Sequence, residues 1–182
     1  MYLLLAGLLI AADQASKWWA TNSFSGGGAL ELGLAFRLIY IRNTGAAFGL
    51  LRDLNLRLGP VVVDGTLLLG LLSAAVSLML LWYLMRRGSS IPALPRFALT
   101  LVLAGAAGNM IDRLLWGFVI DFIHFRSGSF DFPVFNLADS FVVVGGALLF
   151  LSSLIEDRFK KSERRTLAEP EFFGRLDHND RP

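Results

Sequence analysis

Gly108-Asn109-Met110-Ile111-Asp112-Arg113, then Val119-Ile120-Asp121-Phe122-Ile123, then Phe135-Asn136-Leu137-Ala138-Asp139: the stretch 108–139 sets three polar clusters between strongly apolar neighbours. Carboxylates are costly near lipid and persist there when they are paired or functional. Asp112, Asp121 and Asp139 therefore mark a candidate active site, and their flanks mark the membrane-facing helices that would hold it.

Composition agrees with that reading. At 54% hydrophobic and 18% charged residues the 182-residue chain is too apolar for an ordinary soluble domain and reads as one polytopic membrane domain. The net charge of +2 is small and the basic residues are clustered, which argues against nucleic acid as a partner. With no cysteine, disulfides, thiol catalysis and thiolate metal sites are excluded within the chain.

Outward from the quoted stretch, residues 97–115 and 136–155 read as the third and fourth spans, with Asn136 a candidate helix cap and Ala104 and Gly108 at a spacing that allows close packing. Val61–Leu84 is long enough for the second, with Asp64 as a boundary residue in its first turn. Met1–Ala20 is apolar through Ala12 and ends at Trp18 and Trp19, which suits an uncleaved first span; a signal peptide is the competing reading, but no basic region opens it. Asp13 and Lys17 share a helical face, either as an ion pair that orients the helix or as part of a site. Between the first two spans, Phe36, Leu38 and Tyr40 alternate with Arg37, Ile39 and Ile41, which predicts extended strands, and Asn43–Phe48 reads as a turn of small residues. Residues 157–182, with Glu156 before them, form a charged tail without apolar pattern, expected to be solvated.

Placing the basic loop Arg86–Arg96 and the basic tail on the cytoplasmic side puts both termini inside. Asp13, Lys17, Asn109–Arg113 and Asn136–Asp139 then converge on one outer membrane level. The two histidines, His124 and His178, cannot build a helical zinc motif, and no serine stands in a nucleophile motif, so the site is expected to hold no metal and no cofactor. Two carboxylates sharing a proton remain, one activating water and one protonating the leaving amine. Asp112 adjoins Arg113 and suits a charge-satisfied structural role, whereas Asp121, in the loop after the third span, and Asp139, at the start of the fourth, can meet. An ion pathway or a non-catalytic scaffold are the competing readings, and the first would need polar residues through the inner halves of the spans.

Asp13-Gln14-Ala15-Ser16-Lys17, Asn43-Thr44-Gly45-Ala46-Ala47-Phe48 and the three quoted clusters, in this order, resemble the five motifs of the lipoprotein signal peptidases, or signal peptidase II. The resemblance implies an all-α membrane bundle of four transmembrane helices in residues 1–156, with a small periplasmic β-cradle in about 24–50, chiefly Leu30–Phe48. It implies an aspartic endopeptidase of the bacterial inner membrane, with its site toward the periplasm; the chain is expected to act as a monomer. The implied partners are membrane lipid and diacylglyceryl-modified prolipoproteins, cut before the lipidated cysteine. Asp121 and Asp139 would be catalytic; Asn43, Asn109, Arg113, Asn136, Asp13 and Lys17 would bind substrate or organise the site, with Asp112, Gly108 and Ala138 as structural support.

Overall fold

The computed structural model describes residues 1–45, 54–58 and 61–168. Its longest elements are helices whose outward side chains are apolar: Leu71, Leu72, Leu78, Met79 and Trp82 stand exposed along helix α2 (Gly65–Arg87). A helix satisfies its own backbone in lipid, so such a surface is stable against hydrocarbon. Among the described residues, 65–90, 93–116 and 137–158 form three helices long and apolar enough to cross a membrane. Helix α1 (Tyr2–Phe24) is 23 residues long, but Asp13, Gln14, Ser16 and Lys17 interrupt its apolar run.

Helix α3 (Ala93–Trp116) is the central member, with α1, α2 and α4 (Leu137–Ala168) packed on it. Glycine sets how closely α4 approaches. A Cβ at Gly105 would collide with the Ala138 carbonyl oxygen, and one at Gly145 would lie 2.7 Å from the Ala98 oxygen. The small residues at this seam are thus Gly105, Gly108 and Gly145, with the expected Ala104 also fully buried. One apolar cluster gathers Ala6, Leu80, Leu84 and Leu103; a second gathers Ala20, Phe24 and Phe122 where α1 meets the sheet.

The sheet departs from the sequence reading in its composition. Strands β1 (Leu30–Leu32) and β2 (Phe36–Asn43) lie within the expected cradle, but the four-stranded order is β1-β2-β5-β6, completed by β5 (Val119–Ser127) and β6 (Phe130–Asp131). The cradle is therefore not confined to residues 24–50, and Asp121 lies in a strand instead of a loop. The cause is long-range: β2 pairs antiparallel with β5 through Phe36↔Phe125 and Asn43↔Val119, with an irregularity between Leu38 and Ile41. Gly117 makes the turn into β5 possible, ending α3 in the left-handed region at φ 75° with its amide on the Arg113 carbonyl.

Helix boundaries also move. Residues 61–64 are a strand, β4 (Val61–Asp64), paired with β3 (Asn55–Leu58), as a run of β-branched valines favours. Helix α2 starts only at Gly65, where Asp64 caps it by accepting from the Leu67 amide at 2.7 Å. Helix α4 continues past Ile155 to Ala168, so the first part of the charged tail is helical. Ala46, Ala47 and Phe48 of the turn motif, and the tail beyond residue 168, lie outside the described residues.

Candidate active site

The buried polar network starts on α1. Asp13 and Lys17, one helical turn apart, face inward with their side chains essentially removed from solvent. Lys17 Nζ lies 2.8 Å from Asp13 Oδ2 and 3.0 Å from Asp112 Oδ2, and donates to Asn109 Oδ1 at 3.0 Å. One ammonium thus uses its three donors on three acceptors, two of them charged. A buried ion group survives only with its partners complete, which fixes α1 against α3. Gln14 Nε2 closes the network by donating to Asp112 Oδ1 at 2.9 Å and to the Gly108 carbonyl at 3.2 Å.

The same network reaches the other elements through backbone. Asp13 Oδ1 accepts the Ala138 amide at 2.9 Å, in the first turn of α4, where unpaired N–H groups favour an anion. Asp112 Oδ2 accepts the Ile120 amide at 3.0 Å, the residue before Asp121 in β5. Asp13 and Asp112 therefore set where α4 and β5 begin. Gly108 is required for this approach, because a Cβ there would lie 2.6 Å from Asp13 Oδ2.

Asp121 and Asp139 are held by amides on this frame. Asn136 caps α4: its Oδ1 accepts the Asp139 amide at 2.9 Å, and Asp139 Oδ2 accepts the Asn136 amide at 3.2 Å, a reciprocal box. Asn136 Nδ2 also donates to Asp121 Oδ1 at 2.7 Å and to Asn109 Oδ1 at 3.2 Å. Asn43 Nδ2 donates to Asp121 Oδ2 at 2.8 Å, and Asn109 Nδ2 donates to Asp139 Oδ1 at 2.7 Å. Each carboxylate is thereby oriented through both oxygens. Burial, with the Asp139 charge second, raises the Asp121 pKa to about 7 against the two amide hydrogen bonds that lower it.

Both aspartates line a cleft of about 1000 Å³. Asn43, Asn109 and Arg113 line it beside them, together with Leu72, Ser73 and Val76 of α2 and Val142 and Val143 of α4. Arg113 Nη2 donates to the Gly45 carbonyl at 3.3 Å, while its buried Nε has no partner among the described residues. The structure brings together the site residues singled out in the sequence: Asp121, Asp139, Asn43, Asn109 and Arg113 line the cleft, the fully buried Asn136 bridges Asp121 and Asn109, and Asp13, Lys17, Asp112, Gly108 and Ala138 stand behind them. Asp112 makes its direct contacts with Lys17, Gln14 and the Ile120 amide, and the adjacent Arg113 adds its charge nearby. The sequence reading gives no role to Gln14 or Gly105; Gln14's place three residues before Lys17, on the same helical face, is the signal that points to it.

Comparison with known proteins gives a consistent result. Residues 5–155 match the family model described as Signal peptidase (SPase) II. A lipoprotein signal peptidase of Serratia proteamaculans is 35% identical over 164 residues, covering 90% of this chain and 92% of that one. Another, of Methylocella silvestris, is 40% identical over 157 residues, covering 85% and 86%. A bacterial membrane enzyme solved by the in meso method at 2.3 Å superposes with a TM-score of 0.70 at 26% identity, covering 86% of this chain and 88% of the other.

Proposed function

The chain belongs to the signal peptidase II family, a family of proteases, and from that premise we propose that it removes the signal peptide from diacylglyceryl-modified prolipoproteins. The cut falls before the lipidated cysteine, and Asp121 and Asp139 are the catalytic pair. The observation that carries this reading is the pair itself: two carboxylates on one cleft, coupled in charge and each oriented by asparagine amides. Asp121, with its raised pKa, holds the shared proton; Asp139 is then the base that takes a proton from the attacking water, and Asp121 protonates the leaving amine. Asn43, Asn109 and Asn136 keep both carboxyls in place, and Arg113 presents positive charge to the tetrahedral oxyanion or to the substrate backbone.

The surrounding architecture supports a lipid-borne substrate. The apolar residues of α2 and α4 that line the cleft would receive the signal helix from the bilayer, with the scissile bond beside Asp121 and Asp139. On this reading α1 is a fourth span whose inward polar face is neutralised by Asp13, Lys17 and Asp112, and residues 1–156 form one peptidase domain. Both termini and the tail 157–182 are cytoplasmic in an inner membrane, the site faces the periplasm, and the protein acts as a monomer without metal or cofactor. Incubation of the purified protein with a lipidated precursor tests the function. Mass spectrometry is expected to find a product beginning at the diacylglyceryl-cysteine; an unchanged precursor, or cleavage that ignores the lipid, would contradict it.

A further inference from the structure

The two faces of the four-stranded sheet differ sharply in chemistry. One carries a charged row: Arg37 pairs with Glu31 at 3.0 Å, and His124 Nε2 lies 2.7 Å from Asp131, whose pKa its hydrogen bond lowers. The other carries rings. Phe36 and Phe125, opposite each other across β2 and β5, lie 5.0 Å apart between centroids, and the series continues through Phe130 at 6.1 Å, Phe132 at 6.4 Å and Phe135 at 5.6 Å. Phe36, Phe130 and Phe132 are exposed, yet Phe132 and Phe135 line the cleft that holds Asp121 and Asp139. The rings thus form one apolar track that starts in the cleft of the dyad and runs out along the sheet.

We infer that this ring track binds one acyl chain of the substrate's diacylglyceryl group, an inference that rests on the peptidase reading above. A lipidated cysteine placed at the dyad must direct its acyl chains along apolar surface. The walls of α2 and α4 are taken by the signal helix, and the ring track is a second apolar surface that joins the cleft, through Phe132 and Phe135. Successive ring steps of 5.0 to 6.4 Å give it the length of a chain instead of a single side-chain pocket. It selects by chain length: each additional methylene laid on the rings adds binding that a short chain lacks.

Photo-crosslinking tests this directly. The full chain in lipid nanodiscs is mixed with a diacylglyceryl-cysteine precursor peptide bearing a diazirine at the end of one acyl chain, and adducts are mapped by mass spectrometry. Adducts concentrated in residues 125–135, and more abundant than those from a phospholipid carrying the same diazirine, are expected. Adducts confined to α2 and α4, or equal labelling by the bulk phospholipid, would overturn the inference, the latter showing a sheet that merely touches the membrane. In a parallel assay, Phe36→Ser with Phe130→Ser should lower the ratio of kcat/KM for long-chain over short-chain diacylglyceryl substrates by about tenfold, the effect of roughly two methylenes. Arg126→Gln, on the charged strand pair, should leave that ratio alone. An equal loss for both chain lengths, or no loss, would contradict the track. Because crosslinking reads position and not turnover, ring adducts without cleavage would tell against the peptidase reading alone, and cleavage with adducts elsewhere against the track alone.

Discussion

Replacing Asp121 by asparagine should change stability by an amount that depends on pH. Asp121 is 2% exposed, and burial with the Asp139 charge raises its pKa from 3.8 to about 7. A folded-state value above the unfolded one means that the folded chain keeps a proton the unfolded chain releases, so stability falls as pH rises from about 4 and levels off above about 7. A gap of about three units corresponds to roughly 4 kcal/mol, of which about 3 kcal/mol is lost between about pH 5 and about pH 8. The Asp121→Asn variant would carry no such loss, since its side chain does not titrate. Its amide would present an NH2 group to one of two donors, Asn43 Nδ2 or Asn136 Nδ2, at a cost of about 1–3 kcal/mol at every pH. The variant should therefore be close to wild type or less stable near pH 5, and more stable by about 2 kcal/mol near pH 8. Thermal unfolding in detergent, followed by tryptophan fluorescence across this range, measures the difference. A variant-minus-wild-type difference that stays flat with pH, or moves the other way, would refute Asp121 as the buried carboxyl that holds the proton.

The raised Asp121 value also predicts an alkaline limb near pH 7 in the rate profile, as the proton is lost; Asn43→Ala removes a hydrogen bond that pulls the value down and should move that limb upward, so an unmoved limb would tell against the assignment. Lys17→Met leaves Asp13 and Asp112 buried without their shared cation and should cost about 3–5 kcal/mol in detergent unfolding, partly recovered by adding Asp112→Asn; additive losses would contradict the shared-cation account. Gly105→Leu forces α4 away from α3 at Ala138 and should lower kcat by at least about tenfold through displaced Asp139, whereas Gly146→Ala, with open space around its Cβ, should behave as wild type in the same cleavage assay.

Much of the site can be read from the sequence because its residues sit at local, recognisable positions: Asp13 and Lys17 one turn apart, Asn136 three residues before Asp139, Asp64 before an apolar run. Each of these uses a helix-end or helix-face rule that needs no tertiary information. Asp121 is harder to place. Val119–Ile123 is apolar on both sides of the aspartate, so no period of two announces a strand, and its partner β2 lies nearly eighty residues earlier, as Ile41↔Asp121 illustrates. The length of α4 is hidden for a different reason: residues 156–168 lack an apolar stripe, yet Glu, Lys and Arg are good helix formers that extend an existing helix without a new nucleus. Nothing local distinguishes Gly105 from the other glycines; its role comes from the Ala138 carbonyl that α4 sets against it.

The pairing of Asp121 with Asp139 as the cleaving groups is tested most directly by measuring turnover of a diacylglyceryl precursor by Asp121→Asn and Asp139→Asn proteins that unfold cooperatively in detergent. Loss of product in both variants, with the fold retained, is the expected result. Wild-type turnover in either one would contradict it.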